Sequence, residues 1–196
     1  MGRGMRRLAP LLTLLLLVLS LMPASAGARA HARTVGACAA SHASVERASM
    51  RQARSATLCL LNRVRARAGL PRLRLDPKLS HAARVHSRDM VRRGYFAHNS
   101  LNGRTPFQRM LSTRYVPRNA SWWLGENIGW GTSSIADPAA LVRMWMKSAP
   151  HRANILNRNF REIGIGIALG IPVHSARLSR SSTAGATYTT DFGSHT

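Results

Sequence analysis

Residues 162–168 read Glu-Ile-Gly-Ile-Gly-Ile-Ala, and no other run limits the fold so tightly. Ile163, Ile165 and Ile167 alternate with Gly164, Gly166 and Ala168, a period of two that predicts a strand. One face of that strand carries branched apolar side chains. The other is nearly bare, which suits close approach by another backbone. The strand therefore requires an apolar layer on one side and a tightly seated element on the other.

The rest of the chain reads mostly as helices. An amphipathic helix is expected from Ser44, with Leu58, Leu61, Val64 and Ala68 on its inner face, until Gly69 and Pro71 stop it. Asp76-Pro77 and Asp137-Pro138 each pair a capping carboxylate with a proline at the first helical position. The first opens a helix to about Arg93, with Leu79, Ala82, Ala83, Val85, His86 and Met90 inward and Gly94 as its stop. The second opens a helix to about Lys147. Pro150 disfavours helical geometry at Ala149, which predicts that this helix ends there, with His151 just beyond its C-terminus. Thr105-Pro106 starts a short helix, Phe107 to Leu111, followed by a loop over 112–124. Glu126 to Trp130 is predicted as a short strand, 170–185 as a Ser-rich hairpin loop, and Thr187 to Phe192 as the last strand. Helices come first, then strands, without βαβ alternation. This order predicts an α+β domain over 44–196, its antiparallel sheet covered by helices.

Residues 1–26 have the pattern of an export signal. Arg3, Arg6 and Arg7 precede an apolar run from Leu8 to Met22, and Ala24-Ser25-Ala26 is a small-residue cleavage pattern. The run falls short of the roughly 17–25 residues a spanning helix needs. A second small-residue pattern at Ala28-Arg29-Ala30 leaves the cut position open, and no Cys follows that would carry a lipid anchor. Residues 27–43 lack periodicity and are read as a flexible lead-in. The expected product is secreted, with no transmembrane segment in the mature chain. Cys38 and Cys59 are the only cysteines. An even count in an oxidising compartment predicts one bridge between them.

The chain carries 29 Lys and Arg against seven Asp and Glu, a formal charge of +22, and all of the bases but Lys78 and Lys147 are Arg. Removing the leader takes three Arg and no acid, and lowers the charge to +19. A field this positive attracts polyanions in a salt-dependent way: teichoic acids, anionic cell-envelope polymers or anionic lipids. The Arg residues are scattered without an aromatic-interleaved motif, so specific nucleic-acid recognition is not expected.

Three islands carry the chemistry: Tyr95-Phe96-Ala97-His98, Gly125-Glu126-Asn127-Ile128, and Trp145 through Leu156, which includes Ser148 and His151. Spacings of 28 and 25 residues between His98, Glu126 and His151 cannot come from one helix face, so only the fold can gather them. His86 and Asp89 lie one helical turn apart and are read as a supporting pair. His31, His42, His174 and His195 fall in terminal or loop segments and are expected in solvent. His81 points off the inner stripe.

These islands resemble the bacterial branch of the CAP superfamily, the cysteine-rich secretory, antigen 5 and pathogenesis-related proteins. The likeness runs in order from Leu60-Leu61-Asn62-Arg63-Val64-Arg65 with Gly69-Leu70-Pro71, through Asp76-Pro77-Lys78-Leu79, His86-Ser87-x-Asp89-Met90, Tyr95-Phe96-x-His98, Gly125-Glu126-Asn127-Ile128 and Trp145-x-x-Ser148-x-x-His151-Arg152-x-Asn154-Ile155-Leu156, to Glu162-Ile163-Gly164-Ile165-Gly166 and Asp191-Phe192-Gly193. It covers roughly 55–193. The resemblance implies an α-β-α sandwich with a central cleft lined by two His and two Glu, where a divalent cation is often held. By position these are His98, Glu126 and His151, with Ser148 where the second Glu would stand. Ser148 removes one anionic ligand.

Three functions follow as expectations. The first is a binding module: His98 and His151 hold a divalent cation, Zn²⁺ before others, with Glu126 as third ligand or as the group that orients one imidazole. Its further ligand would be a lipid, a peptide or an envelope component. The second is a metal-assisted hydrolase, protease or esterase, with Glu126 as general base. A Ser148–His151 nucleophile lacks a Gly-x-Ser-x-Gly elbow. The third is a basic adhesion factor for polyanionic envelope polymers. Two neutral ligands, one carboxylate and no oxyanion-hole motif favour binding over catalysis.

Overall fold

The computed structural model describes residues 38–43, 49–173 and 185–196. The predicted leader, residues 27–37 of the lead-in, the expected helix start at Ser44, most of the hairpin loop, His31 and His174 lie outside the described residues. The unit from Cys38 to Thr196 runs α1 (Met50–Arg67), β1 (Arg74–Leu75), α2 (Pro77–Arg93), α3 (Pro106–Ser112), β2 (Trp122–Thr132), a 3₁₀ turn (Ser133–Ala136), α4 (Pro138–Lys147), α5 (Ala149–Ile155), β3 (Glu162–Leu169) and β4 (Gly185–His195).

The capping residues set the helix starts. Asp76 and Asp137 accept from the N–H groups of Leu79 and Ala140 at 2.8 and 2.6 Å, and Pro77 and Pro138 follow each cap. Ser49 and Gln52 cap α1 reciprocally, as Thr105 and Gln108 cap α3. Gly94 ends α2 in the left-handed conformation, φ +67°.

The described strands form one sheet in the order β1-β3-β4-β2. β3 and β2 both pair antiparallel with β4, whereas the two-residue β1 pairs parallel with β3. The sheet is thus mixed rather than antiparallel throughout, because β1 reaches β3 from a helix-bearing connection rather than a hairpin. β2 is also longer than expected: it starts at Trp122, inside the predicted loop, and ends at Thr132.

The two faces of β3 behave as its alternation demands. Ile163, Ile165 and Ile167 join the main core with Leu61, Leu141, Trp145, Ile155, Tyr188 and Phe192, beneath α1, α4 and α5. On the other face α2 lies against the glycines. A Cβ on Gly164 would sit 2.1 Å from the Leu79 carbonyl carbon, and one on Gly166 2.2 Å from that of Ala83. The result is helix, sheet, helix: an α+β, α-β-α sandwich. Val85, placed on the inner stripe of α2, is 47% exposed, because α2 turns its Leu79–Ala83 backbone toward the sheet and rolls Val85 outward. His86 and Asp89 do not pair: the His86 ring bonds the Ala97 carbonyl, and Asp89 accepts from the Tyr95 hydroxyl at 2.5 Å.

Cys38 and Cys59 are joined, with Cα atoms 5.7 Å apart across a separation of 21 residues. The bridge ties the start of the described chain to α1. A loop of that length is worth about 3 kcal/mol. Reduction should lower the urea midpoint correspondingly, and an unchanged midpoint in the fully reduced protein would show that the bridge is not stabilising.

Candidate functional site

Glu126 lies in β2 opposite Asp191 of β4, and its side chain is only 2% exposed. Two donors occupy its two oxygens. His98 donates from Nδ1 to Oε1 at 2.8 Å, and Arg109 of α3 donates from Nη2 to Oε2 at 2.6 Å. Burial pushes the Glu126 carboxyl up, but the His98 bond and the Arg109 and His86 charges outweigh it and hold it below the usual carboxylate range. Bonding through Nδ1 leaves His98 Nε2 on the outer side of a ring that is half exposed. The segment carrying His98 is itself anchored to α2, through the His86–Ala97 and Tyr95–Asp89 bonds. Burial and the Asp89 carboxylate raise the Tyr95 hydroxyl to about 12.

His151 enters from α5. Two asparagines hold that helix to the strand: Asn154 Nδ2 donates to the Glu126 carbonyl and to Asn127 Oδ1, and Asn127 Nδ2 donates to the His151 carbonyl. Nδ1 of His151 is buried without a partner among the described residues. Burial, then the positive charge of His98, lower its pKa.

One expectation fails here. α4 does end at Lys147, but at an extended Ser148 and not through Pro150: Ala149 is itself helical and opens a new helix, with Ser148 at the boundary of both. Amides of a first helical turn have no intrahelical acceptor, so proline costs nothing at that position. His151 thus lies in the first turn of α5, at the positive end of the peptide dipoles. There a cation is disfavoured, the reverse of the stabilisation expected past a C-terminus. The Ser148 side chain makes no capping bond.

Asp191 is 1% exposed, and among the described residues neither of its oxygens has a partner with hydrogen-bond geometry. Burial and the adjacent Glu126 carboxylate raise its pKa well above the usual range. Sequence reasoning left Asp191, Asn127 and Asn154 inside their motifs without roles, and it missed Arg109. The motif positions were the available signal for the first three. Arg109 had none, being one arginine among many in a short helix.

Among the described residues, no three His, Cys, Asp or Glu side chains converge as metal ligands. The donors present are two imidazoles. Glu126 is held as the partner of His98 and Arg109, with one bond on each oxygen and a side chain 2% exposed.

In the middle of the edge strand β2 of this α-β-α sandwich, Glu126 bonds His98 and Arg109, and the Glu126–Asn127 segment bonds the helix that carries His151. Residues 58–170, more than half of the chain, match the CAP, or Cysteine-rich secretory protein, family, and the chain belongs to it. It is 41% identical over 107 residues to the Uncharacterized protein YkwD of Bacillus subtilis, covering 55% of this chain and 39% of that one. A solved extracellular protein containing a SCP domain, from Bacillus anthracis, is 26% identical with a TM-score of 0.52, covering 74% of this chain and 43% of that one. A solved outer surface protein of Borrelia burgdorferi shares the fold at 17% identity, with a TM-score of 0.58, covering 76% of this chain and 97% of that one. The chain spans less than half the length of the first two.

Proposed function

We propose that this is an extracellular binding protein whose cleft takes a lipid, peptide or envelope component between His98 and His151, with Glu126 orienting His98. The carrying observation is that both Glu126 oxygens are engaged, at 2.8 and 2.6 Å. A general base at neutral pH needs a raised pKa and a lone pair facing water. Glu126 has a lowered pKa and lies under its partners. Export is supported by the disulfide, which belongs to oxidising compartments, and by the likeness to the extracellular Bacillus anthracis protein. Among the described residues no helix is long and apolar enough to cross a membrane.

A divalent cation, Zn²⁺ first, would be held by the two imidazoles alone, with its remaining positions left to water or to donors of the ligand. Calorimetry with ZnCl₂ is the test. Heat in the wild type that disappears in both His98→Ala and His151→Ala is the expected result. Equal heats in all three proteins would remove the cation from this cleft. Casein or ester turnover lost in a folded Glu126→Gln variant would replace binding by hydrolysis.

A further inference from the structure

A groove of about 590 Å³ is lined by α1, α4 and α5. α1 contributes Leu60 and Val64, one turn apart. α4 contributes Val142 and Met146, also one turn apart, and α5 contributes Leu156. Leu60, Val64, Met146 and Leu156 pack against the main core but are only partly buried. The groove therefore has an apolar floor that still meets solvent. Its size falls within the roughly 300–1,000 Å³ of ligand sites, large enough for apolar side chains and not merely for a small ion.

Charge specifies what covers that floor. Arg63 and Arg67 of α1, Arg143 of α4 and Arg152 of α5 line the same groove, and among the described residues no acid does. None of the four has an acidic partner among the described residues. His42 also lines the groove and stands 3.7 Å from Asp137, but that carboxylate is engaged in capping α4 through the Ala140 N–H. Four positive charges around an apolar floor require several negative charges and an apolar face in one occupant. A lipid with one anionic group answers one arginine of the four. A polyanion without an apolar face leaves the floor in water. A second copy of this chain, at a net charge of +22, is repelled. The residues outside the described ranges hold a single acid, Glu46, so the chain itself does not supply the missing charge.

We propose that this groove seats an acidic amphipathic helix of a partner protein, apart from the His98–His151 cleft and independently of the function assigned to it. An apolar stripe repeating at three and four residues covers the floor, and carboxylates on either side of the stripe reach the arginines. The helical form follows from the walls: side chains one turn apart on α1 and α4 make the ridges between which a third helix packs. Arginine suits the carboxylates, because its planar fork takes both oxygens at once.

The test is fluorescence anisotropy of the whole protein with a labelled synthetic peptide of Leu and Glu, about four helical turns long, its Leu residues spaced to share one face. Saturable binding is expected. A peptide of the same composition with its Leu residues scattered should bind about tenfold more weakly, because the apolar anchors no longer act together. Arg67→Glu and Arg143→Glu, both at exposed positions, should each weaken binding by about tenfold or more, since each sets a like charge against the peptide carboxylates. Arg118→Glu, exposed in the loop before β2, makes the same change in net charge and should leave binding unchanged, as should His98→Ala. No saturable binding would overturn the proposal, as would equal binding of the scattered peptide or a loss in Arg118→Glu equal to those in the groove variants. Laurate that binds the wild type but not Arg67→Glu, where the peptide fails to bind, would give the groove to an acyl chain and overturn it. Loss in His98→Ala would move the binding to the histidine cleft and overturn it too.

Discussion

Gly166→Ala should cost more than about 3 kcal/mol, and Gly164→Ala as much, because each added methyl meets backbone. The new Cβ would lie 2.2 Å from the carbonyl carbon of Ala83, or 2.1 Å from that of Leu79. Overpacking a core usually costs about 1–3 kcal/mol, with neighbouring side chains absorbing part of it. Here the obstructing atoms belong to a regular helix, so relief requires α2 to move off the sheet. Ile165→Val, which removes one methyl from the opposite face of the same strand, should cost only about 0.5–1.5 kcal/mol. Urea midpoints of the three variants measure the order. A Gly166→Ala protein that unfolds at the wild-type midpoint would mean that α2 is not seated on β3 as described.

Glu126→Ala should be the second severe change, at about 3–5 kcal/mol, because it strands Arg109 as a buried and unpaired cation. Its signature lies in the pH dependence. Glu126 has a lowered pKa in the folded state, so its contribution is complete above the ordinary carboxylate value of about 4.3 and is lost as pH falls through the folded value. His86 and His151 are also lowered, His86 chiefly by burial. Below about pH 6.5 the unfolded chain takes up their protons first, and stability declines there as well. Asp191 runs the other way. Its raised pKa gives a contribution present below about pH 3.9 and lost as pH rises through the folded value. Wild-type midpoints measured from pH 8 to pH 3 should therefore fall in two steps, near the histidine range and again below the carboxylate range. In Glu126→Ala the lower step should vanish. Identical acid limbs in the two proteins would show that the Glu126 pair does not supply it.

Several elements were legible because their causes are local. The Asp-Pro pairs, the Thr105-Pro106 start and Gly94 each satisfy or end a helix through bonds within a few residues. The Ile/Gly alternation specified both faces of β3, because strand period and side-chain bulk are read directly from residue order. The restart of a helix at Ala149 was missed because Pro150 was weighed as a stop only, although a first helical turn tolerates it. The early start of β2 was missed because Trp122–Leu124 becomes strand by pairing with Gly193–His195, more than 60 residues away.

The site divides along the same line. Sequence alone marked His98, Glu126 and His151 as chemistry-bearing residues in three separate islands, and patterns whose range is a turn or a strand marked the helices and strands of an α+β domain; the α-β-α sandwich was implied by the family resemblance. Only tertiary structure decided what those residues are attached to. Arg109 reaches Glu126 from a different helix, Asn154 ties α5 to β2, and Asp191 faces Glu126 across a strand pair. Their roles arise from desolvation and charge at distances of about 3 Å between segments far apart in the chain. No periodicity records such distances, because they exist only once the layers have closed.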